Sequence, residues 1–277
     1  MAKEEKVEKK KKRKLRWQVK LFIIILIIII YAFIIGPKGI FVKEYKITTS
    51  KISTAMDGLK ILHISDLHYG STMNKNDVKK IVTKANETKP DIVVFSGDLI
   101  NEKYEITESE KEFLKKELSK INAELGKYYV VGEEDFEDAT SILNLSGFIN
   151  LDNNPQSVYG SDNKPILLID KNGSKTYFEN NDNVPSFKIL VIHNPDDFDE
   201  VKEHNFDMAL AGHTHNGQVN IINIKDLIIK SKYNKSYQKV GNTKLFINPG
   251  MGTSKINIRL FNHPTMYLYR INKASTN

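Results

Sequence analysis

Cysteine is missing from all 277 residues. That excludes disulfides, thiolate zinc sites and cysteine nucleophiles, so any metal here is held by nitrogen and oxygen. The body also lacks excess charge. The formal +7 sits in residues 1–20, which carry ten Lys or Arg and three Glu. Residues 21–277 are left with 31 basic and 31 acidic groups, and such a body has no basic nucleic-acid footprint. No internal repeat is visible, and the length suits one sizeable domain or at most two.

One long apolar run is present. Residues 21–35 are apolar without a break apart from Tyr31, with Trp17 and Lys20 placed for the membrane interface. Fifteen residues are short for a span, which needs roughly 17–25; the apolar stretch 39–42 is expected to add length. A cleaved signal peptide and a re-entrant segment are the competing readings, but no Ala-x-Ala-like site follows Ile35. An uncleaved single-pass anchor is therefore expected. Ten basic residues precede the run and Lys38, Lys43, Lys46 and Lys51 follow it. This asymmetry predicts a cytoplasmic N-terminus and an extracytoplasmic body at the cell membrane.

Beyond a linker, and a first strand near 40–47, short apolar runs alternate with helical periodicity. Strands are predicted at 59–64, 92–95 and 127–131, with helices at 74–86, 108–125 and 138–145. The second half reads as strand-rich: 166–170 and 175–178 around the turn Lys171-Asn172-Gly173-Ser174 as a hairpin, then 189–192, 208–211, 219–224, 244–247, 257–260 and 266–271. A polar loop covers 181–185.

Polar clusters fall just after these strands. Asp66-Leu67-His68 follows the first, Gly97-Asp98 the second and Gly132 the third, while His193 and Gly212-His213-Thr214-His215 follow two later ones. Sites of open α/β sheets gather at that edge. Carboxylate and imidazole are ligands for divalent metals of borderline softness. Each cluster alone is weak; a lone His193, for instance, reads first as a satisfied core histidine. Together and in this order they point to a metal site. His63 reads as a core group, or one standing behind the ligands. His204 and His263 read as surface groups, and Asp196-Asp197 as a helix N-terminus.

Ile64-Ser65-Asp66-Leu67-His68, Phe95-Ser96-Gly97-Asp98-Leu99, His193-Asn194-Pro195-Asp196 and Gly212-His213-Thr214-His215-Asn216-Gly217-Gln218 resemble the calcineurin-like metallophosphoesterase superfamily. Asn248-Pro249-Gly250-Met251-Gly252-Thr253, followed by Ile258-Arg259, resembles its bacterial membrane-associated branch. The resemblance covers residues 59–271. It implies an α/β fold, a four-layer α/β/β/α sandwich over 58–277, preceded by a basic tail (1–20), a transmembrane helix (21–42) and a linker with the first strand (43–57). It also implies a site for two divalent metal ions; the carboxylate added at Glu133 makes a harder ion, manganese first, the expectation, with magnesium, iron or zinc as alternatives. Asp66, His68, Asp98 and His215 would hold one ion; Asp98, His193 and His213 the other. A hydroxide between the ions would attack phosphorus in line. The substrate class implied is a phosphodiester or pyrophosphate, lipid-linked if the anchor sets its location.

The chain departs from this pattern after Tyr128-Tyr129-Val130-Val131-Gly132. The family carries Asn-His and then an acid; here the residues are Glu133-Glu134-Asp135. Glu133 takes the position of an oxygen ligand to the second ion and adds a negative charge. Glu134 takes the position of the histidine that assists the leaving oxygen, and fits that role only if its pKa is raised. Weakened hydrolysis is expected. The alternative is an inactive metal-binding module that binds a phosphorylated ligand or an envelope partner. Asn216 replaces a family glycine and is expected to tolerate positive φ.

Overall fold

The computed structural model describes residues 2–181, 183–220 and 230–275. Helix α1 (Ala2–Ile30) continues through a π-helical turn, Tyr31–Ile35. The window Arg16–Ile35 is 20 residues long and apolar enough to cross a membrane; at 1.5 Å per residue it measures about 30 Å, a bilayer core. The helix thus gains length at its N-terminal side. The stretch expected to extend it at the other end does not: Phe41 and Val42 open strand β1 (Phe41–Thr49).

Among the described residues the body contains two six-stranded sheets. The first runs β1, β12 (Thr265–Lys273), β2 (Leu59–Ile64), β3 (Ile92–Phe95), β4 (Lys127–Tyr129), β5 (Phe148–Asn150). The second runs β10 (Tyr237–Val240), β11 (Thr243–Ile247), β9 (Met208–Ala211), β8 (Phe187–Val191), β7 (Ile166–Ile169), β6 (Gln156–Val158). Side-chain alternation builds the layers. Ile61, Ile92 and Val94 meet Ile189, Val191 and Leu210 between the sheets. The opposite face of the first sheet (Leu62, Ile64, Val93 and Phe95) packs on α2 (Lys75–Glu87), α3 (Glu108–Leu118) and α4 (Glu137–Leu145). The outer face of the second, including Leu167, Ile169 and Leu190, is covered by Phe198, Val201 and Phe206, with Tyr177 and Phe178 of α5 (Lys171–Asn180). The result is the expected four-layer α/β/β/α sandwich.

Local chemistry explains the boundaries. Asn74 and Asp77 form a capping box at the start of α2, and Thr107 and Glu110 one at α3. Helix α3 stops at Leu118 rather than at 125. Lys120 and Ile121 donate to carbonyls three residues back, and Asn86 of α2 holds the following turn through Lys120 O and Asn122 N. The expected hairpin at 166–178 is a strand followed by a helix. Asp170 accepts from Asn172 N at 3.0 Å and Gly173 N at 2.8 Å, so Asn172-Gly173 forms the first turn of α5 rather than a β-turn. Residues 257–260 form no strand beyond a single bridge, Val219 to Leu260. Residues 182 and 221–224 of the predicted polar loop and strand lie outside the described residues.

Candidate metal centre

Strands β2, β3 and β4 are mutually parallel, as are β8 and β9. Their C-terminal ends deliver the five clusters to one edge of the sandwich. Asp66, His68 and His215 present ligand atoms within 4.8 Å of one another; so do Asp98, His193 and His213, and so do His68, Asp98 and Glu134. Asp98 joins the two halves: its Oδ2 lies 3.2 Å from His193 Nε2 and 3.8 Å from His68 Nε2. All seven sequence-selected positions and Glu134 therefore border one site. Glu133 stands at its rim, with Oε2 3.8 Å from His213 Nδ1 and Oε1 accepting from Asn194 Nδ2 at 3.3 Å.

The backbone is bent to achieve this. Asp66, His68, Asp98, His213 and His215 have φ of 49°, 45°, 60°, 62° and 49°. Left-handed conformations cost L-residues roughly 1–2 kcal/mol each, and such strain gathers where side chains must be aimed. Asn216, at φ 48°, adopts the conformation expected of it. Gly97 makes the approach possible: a Cβ there would lie 2.6 Å from both Gly132 Cα and His193 Nδ1.

Hydrogen bonding sets the imidazole tautomers. His193 Nδ1 lies 2.7 Å from Ser96 O, a carbonyl that only accepts, so Nδ1 carries the hydrogen. Its Nε2 is buried without a hydrogen bond and faces the Asp98 carboxylate. An imidazole nitrogen facing a carboxylate calls for a cation, a proton or a metal ion, between them. Burial alone would depress His193, but Asp98 and Asp66 reverse this and lift its pKa to about 10, so without a metal ion Nε2 holds a proton toward Asp98 that a metal ion would displace. Burial likewise opposes ionisation of Asp98, yet His193 and the Glu134 N–H hold its pKa at about 2. On the other side, His68 Nδ1 lies 3.2 Å from Glu134 Oε2 and its Nε2 3.2 Å from His215 Nε2; burial would lower the His68 pKa, but Glu134, Asp66 and Asp98 raise it. Burial pushes His215 down to about 4, so it is neutral and available as a ligand. Two imidazole nitrogens face each other beside Asp66 and Asp98. This donor set fits divalent cations.

Glu134 is tied down. One oxygen, Oε2, accepts from His68 Nδ1 at 3.2 Å, Asn101 Nδ2 at 3.0 Å and Glu102 N at 3.1 Å. Burial would raise its pKa, but His68 and the Glu102 N–H outweigh it and the net direction is down. The condition set for a proton donor at this position is not met. The geometry is instead that of a carboxylate orienting a ligand histidine.

Of the groups behind the ligands, sequence reasoning pointed to His63 and missed the partners around it. Ser65 Oγ donates to Asp66, Ser96 Oγ donates to Ser65 Oγ at 2.9 Å, and His63 bridges Ser96 Oγ at 2.8 Å and Tyr269 OH at 3.2 Å. Asp135 accepts from the backbone of Asp98, Leu99 and Gly132 at 2.8, 2.7 and 3.0 Å, fixing the Asp98 loop. Buried Arg259 donates to the carbonyls of Pro249, Gly250 and Gly252. His263 is not a surface group. It is half-buried, 2.9 Å from Tyr31 OH and 3.0 Å from Gly36 O, and so clamps the end of the apolar helix.

Comparison with known proteins agrees with this geometry. Residues 59–217 match the family model described as calcineurin-like phosphoesterase; the chain belongs to that family. It is 28% identical over 264 residues to the "Uncharacterized metallophosphoesterase YkuE" of Bacillus subtilis (strain 168), covering 89% of this chain and 90% of that one. It is 24% identical over 253 residues to the "Transmembrane protein with metallophosphoesterase domain" of Danio rerio, covering 83% of this chain but 57% of that protein. Among solved structures, TT1561 of Thermus thermophilus is similar over 70% of this chain and 90% of that one, with 13% identity and a TM-score of 0.45.

Proposed function

We propose that the chain is a membrane-anchored, metal-dependent phosphoesterase that hydrolyses a phosphodiester or pyrophosphate, lipid-linked and held near the headgroups. Its N-terminus would lie in the cytoplasm and its catalytic domain outside. The observation that carries the catalytic reading is the pair of histidine–carboxylate clusters joined by Asp98, each with an imidazole nitrogen facing its neighbours. Asp66, His68, Asp98 and His215 would hold one cation; Asp98, His193, His213 and Glu133 the second. Two dications, manganese being the first candidate, would acidify a water and neutralise phosphoryl charge. Asp98 keeps the two halves in register. Glu134 orients His68 and leaves the departing oxygen without a protein proton donor at that position. Slow turnover, and preference for substrates with good leaving groups, follow from that.

A second reading is favoured by the same locked Glu134: a site that binds metal and a phosphorylated ligand or envelope partner without cleaving it. The two readings separate on purified full chain in detergent. Metal content is measured together with hydrolysis of a chromogenic phosphodiester and the matching monoester in Mn, Mg, Fe and Zn. The enzyme reading expects bound metal and diester turnover. Bound metal with no turnover of either compound selects the binding module.

A further inference from the structure

Alongside the metal centre lies a cavity of about 610 Å³, mostly apolar, lined by His213, Thr214, Gln218, Ser254, Ile256 and Ile258 among others. The segment 254–258 forms one wall. Its far side belongs to a second hollow, shared by Asn257 with Phe33, Ile34 and Pro37 at the end of the apolar helix. The segment is thus a lip between the metal-site cavity and the helix end.

This lip is fastened to the helix. Arg259 N donates to Ala32 O at 2.9 Å, and a Cβ on Gly36 would lie 1.9 Å from Arg259 O, so the two backbones touch. His263 bonds Tyr31 OH and Gly36 O, and the rings of Tyr31 and Phe261 lie 6.3 Å apart. Ala32 is four residues before Gly36, within about 6 Å along the axis at 1.5 Å per residue. Whatever holds Ala32 in a membrane boundary therefore holds the lip at the same level. Two large apolar side chains on the lip stand out into solvent: Ile256 at 60% and Phe261 at 65% exposure. Phe33, Ile34 and Ile35 beside them are exposed at 49%, 53% and 54%, and Lys38 and Lys255 flank the patch. Apolar side chains with lysines at their margin match the interfacial layer of a bilayer carrying anionic headgroups.

We propose that residues 254–261 form a membrane-seated lip. Ile256 and Phe261 insert into the bilayer that holds the apolar helix, and the metal-site cavity opens onto the lipid surface. The proposal rests on the anchor reading above and deepens it: the site would receive phosphoesters of amphiphiles resident in the membrane.

The absence of native cysteine makes the test direct. Full chain carrying single substitutions Ile256→Cys, Phe261→Cys or, as the control, Leu145→Cys is labelled with one environment-sensitive fluorophore. Leu145 ends α4, which packs by β5 at the sheet edge remote from β1. The proteins are reconstituted into phosphatidylcholine vesicles containing phosphatidylglycerol and lipids spin-labelled in the upper acyl chain. Labels at 256 and 261 are expected to lose at least half their emission to the lipid quencher, and the label at 145 almost none. If the chain resists carbonate extraction but all three labels behave alike, the lip proposal is overturned while the anchor stands. Protection from aqueous iodide without lipid quenching would mean that protein covers the patch, and also overturns it. Release by carbonate would defeat the anchor reading first.

Discussion

Replacing Arg259 with methionine should loosen the metal centre from behind. The guanidinium is 1% exposed and donates to Pro249 O at 3.0 Å, Gly250 O at 3.1 Å and Gly252 O at 2.7 Å. No carboxylate pairs with it among the described residues, and burial pulls its pKa down to about 10. Methionine fills similar volume but leaves these three carbonyls, and the more distant Asn262 O at 3.5 Å, without their donor. Each uncompensated acceptor costs about 1–3 kcal/mol. Part of that is offset, because burying an unpaired cation itself costs several kcal/mol. A net loss of about 2–4 kcal/mol remains, equivalent to about 5–15 °C in melting temperature for a domain of this size. The damage should reach the ligands. Met251 N and Gly252 N donate to Asp66 O at 3.1 and 2.8 Å, so the loop Arg259 supports grips the backbone of a metal ligand. Manganese affinity should fall by about tenfold, the lower end for groups that support ligands. The assay is thermal unfolding of full chain in detergent, with a manganese titration. A melting point within about a degree of the parent protein would refute the reasoning, given the sensitivity used here.

Other outcomes follow from the same geometry. The double substitution Glu133→Asn with Glu134→His should raise phosphodiester turnover by about 10–100-fold, within the usual range for general acid assistance; an unchanged rate would count against the account of those two residues. Removing metal by chelation should lower the melting temperature by several degrees, since a ligand at a hundred times its Kd stabilises by about 2.7 kcal/mol, and readdition of manganese should restore it. Gly97→Ala should abolish soluble expression or metal binding, because its Cβ would overlap Gly132 and His193 at φ +93°. Burial, opposed by the Val131 N–H and supported by Asp170, raises the Asp152 carboxyl to about 6. The folded chain therefore holds that proton when the unfolded chain has lost it, and stability should decline as pH rises from about 4 to 6. Asp152→Asn should flatten that part of a melting-temperature profile; an identical slope in the variant would refute the assignment.

Much of the fold was legible because its signals are local. The strands β2, β3, β8 and β9 are short apolar runs, each followed by a metal-type residue, and α2 shows both periodicity and cap. The errors came where distant contacts decide. Asn172-Gly173 has the composition of a turn, yet Asp170 captures its N–H groups for a helix. The end of α3 depends on Asn86, more than thirty residues earlier. The candidate metal ligands could be picked out from motif order. Their supports were not, because a buried arginine or a serine pair has no periodic signature, and His263 gains its meaning only from a helix more than two hundred residues away. Glu134 was read as a departure, but the direction of its pKa required knowing that His68 and the Glu102 N–H converge on one of its oxygens.

The buried file Tyr269–His63–Ser96–Ser65 crosses β12, β2 and β3 before reaching Asp66. Its members sit between the sheets, where most neighbours are aliphatic and would tolerate sliding. Shifting any of these strands by one residue would turn its polar member to the helical face and strand the others without partners. The file therefore works as an alignment key. It penalises misregistered sheets during folding, and it couples correct assembly of the apolar interior to the placement of a buried carboxylate, Asp66, in the candidate metal centre.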